Sequence, residues 1–250
     1  MNQRPVQESV LRRLAILTVS FAISAAVQNV MLMNCIGPSV SDLYVANSNG
    51  TAERRLMPAG GFDYHASYSL SGKWITFTSE RSRYGGFLQG RRTAGAKIVL
   101  VNRDGSGVEE LTADMPNAGF PSWSADGKEI VYRSFGPKDM SLGIFNLQTR
   151  QTRVLTNGSD NLPYWSPKGS RILFTRSQGG NFDVYTIRPD GTDVRRVTDF
   201  PANGAHAVWS QDGKQIMWNS GEYGFKDEAA LYDNSFQPYG SICIMNTDGT

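Results

Sequence analysis

Apolar residues in this chain recur two positions apart, in short runs broken by Gly, Asp, Asn and Ser. Ile75 and Phe77, Ile130 and Tyr132, Ile172 and Phe174, and Ile216 and Trp218 all show this spacing. A period of two is that of a strand whose alternate side chains share one face, so each run predicts a β-strand. The runs are copies of one phrase: ASYSLSGKWITFTS at 66–79, PSWSADGKEIVYRS at 121–134, PYWSPKGSRILFTR at 163–176 and AVWSQDGKQIMWNS at 207–220. In each copy an aromatic (Tyr68, Trp123, Trp165, Trp209) and a serine precede a Gly-containing turn, which predicts strand, tight turn, strand.

A second phrase fills the gaps: DLYVANSNGTAERRLM at 42–57, KIVLVNRDGSGVEELT at 97–112, LGIFNLQTRQTRVLT at 142–156 and DVYTIRPDGTDVRRVT at 183–198, with a further start at SICIMNTDGT, 241–250. It too predicts a hairpin, turned in most copies by Asn-Gly or Asp-Gly. Two hairpins in about 42–44 residues make a four-stranded antiparallel unit of the size of one propeller blade. No amphipathic helix competes. The expected fold is an all-β propeller with about four blades plus partial ones, part of a five- to seven-bladed ring. The repeats begin with the last two strands of a blade and break off in the turn Asp248-Gly249-Thr250, which predicts a piece of a longer propeller.

The W-S-x-D-G-K phrase, followed by a hydrophobic strand and a D-G-T turn, resembles the TolB-like, WD-type propeller repeat over residues 42–250. That resemblance implies a scaffold more than a chemistry, since such repeats serve periplasmic scaffolds, peptidase gating domains and some polysaccharide lyases.

The N-terminal forty residues do not share the repeat. Arg12 and Arg13 precede LAILTVSFAISAAV (14–27), ending in Ser24-Ala25-Ala26, which has the layout of a secretory signal peptide and is short for a membrane span. The expected organisation is a signal peptide over 1–27, a linker over 28–40 and the propeller over 41–250, in a secreted or periplasmic protein with no stable membrane span in the mature chain. An apolar N-terminal helix or anchor is the alternative. Two cysteines make no disulfide framework; Cys243 reads as a buried thiol and Cys35 lies in the expected linker. A formal net charge of +2 with scattered arginines gives no basic face for nucleic acid.

Antiparallel connectivity sorts the loops into two faces. The first-to-second and third-to-fourth turns share one face and are all tight. The second-to-third loops and the crossovers share the other, with insertions at 80–96 and 221–240 against shorter loops elsewhere; long loops on a rigid scaffold carry binding residues. His65 and His206 occupy one repeat position, where Phe120 and Leu162 stand in the other copies, at the expected mouth of the channel. Asp63, Asp160, Asn161 and Asn203 are expected beside them in the crossover loops. Two readings stand: a polar rim that recognises a ligand or an ion, or imidazoles that cap strand ends. The histidines, in the first and fourth full repeats, are expected to lie too far apart to share a metal. The 221–240 insertion adds Glu222, Tyr223, Asp227, Glu228 and Tyr232, aromatics beside carboxylates that suit a sugar face or a peptide. The first insertion is basic, with Arg81, Arg83, Arg91 and Arg92; both insertions also fit a solvated loop surface.

The sequence contains no G-x-S-x-G, H-E-x-x-H, C-x-x-C or P-loop, and no Asp-Gly turn carries a full calcium-loop donor set. No cofactor, metal or catalytic residue is expected. The reading is a non-enzymatic, exported scaffold that holds a protein or extracellular polymer on its long-loop face. The alternatives are a polysaccharide lyase or hydrolase of the oligogalacturonate-lyase type, whose multi-histidine site this two-histidine chain does not match, and the propeller part of a larger peptidase-like protein.

Overall fold

The phrase with two-residue spacing folds into inner and second strands, and the Asp-Gly phrase into third and outer ones. The computed structural model describes residues 30–36, 41–58, 62–80, 95–112, 115, 117–135, 140–179, 181–199, 204–221 and 241–247. These form five antiparallel sheets arranged as the blades of a β-propeller, three of four strands and two of three. Blade I comprises β1 (Val30–Ile36), β2 (Ser41–Asn47) and β3 (Arg54–Arg55). Blade II runs from β4 (Asp63–Tyr68) and β5 (Trp74–Ser79) to β6 (Lys97–Asn102) and β7 (Glu109–Glu110). Blade III holds β8 (Ala118–Trp123), β9 (Glu129–Phe135), β10 (Met140–Asn146) and β11 (Thr152–Val154). Blade IV holds β12 (Asp160–Trp165), β13 (Ile172–Gln178), β14 (Asn181–Ile187) and β15 (Arg195–Arg196). Blade V holds β16 (Gly204–Trp209), β17 (Gln215–Ser220) and β18 (Ser241–Asn246).

One element departs from expectation. Residues 30–36, within the expected linker, pair with β2 in unbroken register from Val30 opposite Asn47 to Ile36 opposite Ser41. This strand carries no copy of either phrase, so the repeat pattern does not reveal it. The expected signal peptide, residues 81–94 and 222–240 of the two insertions, and the final turn at 248–250 lie outside the described residues.

The S-x-D-G-K phrase is a hydrogen-bonded turn. Ser124 Oγ donates to Asp126 Oδ1 at 2.7 Å, that carboxylate accepts Lys128 N–H at 3.1 Å, and Glu129 N–H donates to Ser124 Oγ at 2.9 Å. Gly127 supplies the left-handed residue, φ 70°. Ser210, Asp212 and Gly213 repeat the arrangement in blade V. A threonine closing the second phrase does related work: Thr112, Thr156 and Thr198 accept, through Oγ1, the backbone N–H of Ile98, Leu142 and Val184 on the third strand.

The core lies between blades. Ile75, Ile130, Ile172 and Ile216 are all fully buried, each stabilising by about 1.5–3 kcal/mol relative to exposure. Between blades III and IV, Val131, Leu142 and Ile144 meet Trp165, Ile172 and Phe174; similar layers join the other neighbours. Neighbouring blades are also tied directly, by Phe120 N–H of inner strand β8 to Thr78 Oγ1 of second strand β5 at 2.8 Å and by Trp165 N–H to Ser122 Oγ between inner strands at 2.9 Å.

Candidate functional site

All four inner strands break register at one place. The shift falls between Tyr64 and Ser67 in β4, Gly119 and Ser122 in β8, Asn161 and Tyr164 in β12, and Ala205 and Val208 in β16. Within each bulge one residue takes a left-handed conformation: His65 (φ 49°), Phe120 (φ 57°), Leu162 (φ 50°) and His206 (φ 51°). A non-glycine residue there costs about 1–2 kcal/mol. The same cost recurs four times at one repeat position, so it belongs to the design of the blade: a bulge re-aims a side chain that a regular strand would direct elsewhere.

The re-aimed side chains meet. His65 and Phe120 have ring centroids 4.2 Å apart, and His65 stacks on His206 at 5.7 Å with the planes 16° apart. The two histidines, expected to lie too far apart to share a metal, are carried by the bulges from blades II and V into ring contact. Tyr64, Phe120, Leu162 and Ala205 form an apolar cluster beneath them. Arg133, almost fully buried, lays its guanidinium over Phe120 at 4.0 Å and donates from Nη1 to Asn161 Oδ1 at 2.8 Å.

This setting keeps the imidazoles neutral. Burial, then His206, then the Arg133 charge push the His65 pKa down to about 3; burial alone lowers that of His206. Among the described residues, no three of His, Cys, Asp and Glu group together as a metal site.

The acidic and amide candidates sit differently from expectation. Asp63, Asp160 and Asn161 open the inner strands instead of lying in crossover loops, and they are buried. Asp160 accepts two bonds from Arg176, Nε to Oδ1 at 2.7 Å and Nη2 to Oδ2 at 2.9 Å. Asp63 Oδ1 accepts Ser79 Oγ at 2.5 Å, and its backbone carbonyl accepts Ser41 Oγ of blade I at 2.6 Å. Asn161 Oδ1 also caps Leu162 N–H at 2.8 Å, which holds the bulge. Asn203, Glu222, Tyr223, Asp227, Glu228 and Tyr232 lie outside the described residues. Sequence reasoning passed over Arg133, although the signal was there: the other copies carry Thr78, Thr175 and Asn219 at its repeat position.

With four blades built to one bulged plan, the relationship to known propellers can be stated. The family profile described as the TolB beta propeller domain, PD40, matches residues 86–237, more than half of the chain. The chain belongs to this TolB propeller family. A "Protein TolB homolog" of Chlorobium luteolum is 36% identical over 151 residues, covering 55% of this chain and 34% of that protein. The "Tol-Pal system protein TolB" of Anaeromyxobacter dehalogenans is 30% identical over 114 residues, 45% of this chain and 26% of that one. The chain thus spans about a quarter to a third of the length of these TolB relatives. Among solved structures, TolB from Acinetobacter baumannii superposes with a TM-score of 0.70 at 17% identity, over 98% of this chain and 58% of that one; that likeness speaks to the fold alone. Among the described residues, no helix is long and apolar enough to cross a membrane.

Proposed function

We propose that this TolB-family propeller is a non-enzymatic, exported binding scaffold whose crossover face holds a protein partner or an extracellular polymer. The observation that carries the reading is the set of four bulges. They gather His65, Phe120, Leu162 and His206 into one packed group, with Phe120 and Leu162 buried and the two imidazoles partly exposed. The acids and amide around it support the same reading: Asp160 is held by Arg176, Asn161 by Arg133 and Asp63 by Ser79, so their polar atoms hold strands together. The ends of β5 and β17 and the starts of β6 and β18 lie at this end of the blades, where the sequence predicts the insertions at 80–96 and 221–240 as binding loops. Proteins of the Tol-Pal system, to which a relative's name refers, are the first partners to try.

The test is photocrosslinking in the exporting cell, with a crosslinkable residue placed at position 206 or in 222–239, and at position 126 or 212 on the opposite face. A discrete adduct from the first pair, absent from the second and lost when 222–239 is shortened to a turn, is the expected result. Adducts of equal yield from both faces would refute the placement. Turnover of a polysaccharide panel that disappears in His206→Ala would replace the scaffold with a lyase at the same rim.

A further inference from the structure

Blade IV departs from the other copies of the repeat in one chemical respect. In its first turn Lys168 stands where blades II, III and V carry Ser71, Asp126 and Asp212. At the head of the second strand Arg171 stands where they carry Trp74, Glu129 and Gln215. On the outer strand Arg195 replaces Glu109 of blade II and matches Arg153 of blade III. These three positions hold one net negative charge in blades II and III and three positive charges in blade IV. The turn itself does not require the lysine: Gly169 N–H donates to Ser166 O at 2.8 Å and Gly169 takes φ 76°, as its counterparts do in the acidic turns.

In blade III two of these positions neutralise each other, Arg153 lying 3.7 Å from Glu129. In blade IV both are arginine, and Asp193 draws them together, accepting Arg171 Nη1 and Arg195 Nε at 2.8 Å each on its two carboxylate oxygens. Arg171 Nε donates to Thr186 Oγ1 at 3.0 Å, where blades II and III have the apolar Leu100 and Ile144. Between blades IV and V, at the tight-turn end, this leaves a cavity of about 400 Å³ whose wall includes Lys168, Ser170, Arg171, Thr186 and Arg195 and no Asp or Glu. Lys168 lies across the first turn of blade V, where a Cβ on Gly213 would meet its Cγ at 3.3 Å. A guanidinium has five N–H groups. Among the described residues Arg171 commits three of them, Arg195 commits one, and the Lys168 ammonium makes no ion pair. Asp193 also takes Arg188 at 3.4 Å and Asp212 lies toward Lys168, so two acids face four cations. Arg196, farther along the wall, is committed to Asp183 and Asp199.

We propose that this cavity binds a phosphate group, free or as the monoester of a small alcohol. A phosphate brings about −1.5 to −2 charge and three strong acceptor oxygens. The guanidinium forks of Arg171 and Arg195, held side by side by Asp193, match those oxygens in pairs, and Lys168 adds a point charge. A carboxylate, with two oxygens and one charge, answers fewer of these donors. The cavity is larger than the anion alone, and Val197 and Trp209 give it an apolar side for the carbon of an ester. The site lies at the opposite end of the blades from the crossover loops, so its fate is independent of the scaffold reading.

The experiment follows the backbone N–H signals of Ser170 and Gly213 by NMR in the whole chain, at constant ionic strength. The probes are inorganic phosphate, glycerol phosphate, glycerol and acetate. Saturable movement with both phosphates at concentrations up to about 10 mM is the expected result, with glycerol inert and acetate weaker. Tighter binding of glycerol phosphate assigns the apolar side to an ester; equal affinity assigns the site to the free ion. Lys168→Asp, which copies the turn of blades III and V at an exposed position, is expected to weaken binding about tenfold or more. Lys128→Ser, in the corresponding turn of blade III, leaves it unchanged. Arg195→Gln keeps the length of the side chain, removes its charge, and decides the matter if Lys168→Asp does not fold. No saturable shift with either phosphate, acetate bound as tightly, an equal loss in Lys128→Ser, or full binding in both site variants would overturn the proposal.

Discussion

His65 is a titratable group held where its charge is unwelcome, and this has a measurable consequence. Folded, it takes a proton only near pH 3; unfolded, it does so near the ordinary value of 6.5. Between those values the unfolded chain binds the extra proton, so the stability that His65 contributes is complete above about pH 6.5 and is lost as the pH falls toward 3. The slope approaches about 1.4 kcal/mol per pH unit for this one group. Urea unfolding at stepped pH checks it: His65→Phe, which copies the residue blade III uses at the same position, is expected to flatten the wild-type curve between pH 6 and 4. Curves that run parallel would show that His65 titrates normally. The same residue marks the limit of what the sequence told. Its repeat position, shared with His206, Phe120 and Leu162, was legible. Its contact with His206 was not, because a period-two pattern specifies which face a side chain takes and says nothing of a left-handed bulge that redirects it.

At the scale of the strand and its neighbour, the aromatic of β9 has an unusual partner. Tyr132 pairs across the ladder with Gly143, and a Cβ at Gly143 would lie 2.6 Å from the tyrosine ring. In blade II the matching pair is Phe77 with Val99. Gly143→Val is therefore expected to destabilise by about 1–3 kcal/mol through overpacking. Adding Tyr132→Phe, which recreates the blade II pair and gives up the hydroxyl contact to Met115 Sδ at 3.5 Å, is expected to recover part of the loss. A double-mutant cycle by thermal melting checks this; strict additivity would show that the ring and the glycine are not coupled. Elements of this kind were the most legible part of the chain, since the turn serines, aspartates and glycines each perform a local task that the phrase spells out. Asp160 was harder. Its strand starts two residues before Leu162, and the acid reads as a loop residue until Arg176, opposite it on β13, is seen to take both oxygens.

At the scale of the whole molecule, arginines on and beside the outer strands link blades I to IV in succession. Arg54 of blade I donates to the carbonyls of Arg103 and Asp104 in blade II at 2.7 and 3.2 Å, Arg150 of blade III pairs with Glu109 of blade II, and Arg153 donates to Pro189 O of blade IV at 2.7 Å. The acceptor chemistry separates them: Arg150→Ala, which loses an ion pair, is expected to cost less at high salt, while Arg153→Ala, which loses the neutral Pro189 carbonyl as well as a looser pairing with Glu129 at 3.7 Å, should keep about 0.5–1 kcal/mol of its cost at high ionic strength. Chemical denaturation at low and high salt distinguishes the two, and an equal salt dependence would contradict the assignment. The four-stranded blade was readable from the repeat, while the number of blades was expected only within a range of five to seven and is five among the described residues.

The four left-handed bulges also separate two demands that compete in most folds. Strand pairing passes around the bulged residue rather than through it, so its identity is nearly free of the ladder: two imidazoles, a benzyl and an isobutyl group stand there on equivalent backbones. Blades II to V thereby each present one interchangeable group at a shared focus, like the cuts on a key whose shaft never changes. A propeller of this kind can change the group at its axis one residue at a time while every sheet stays as it is.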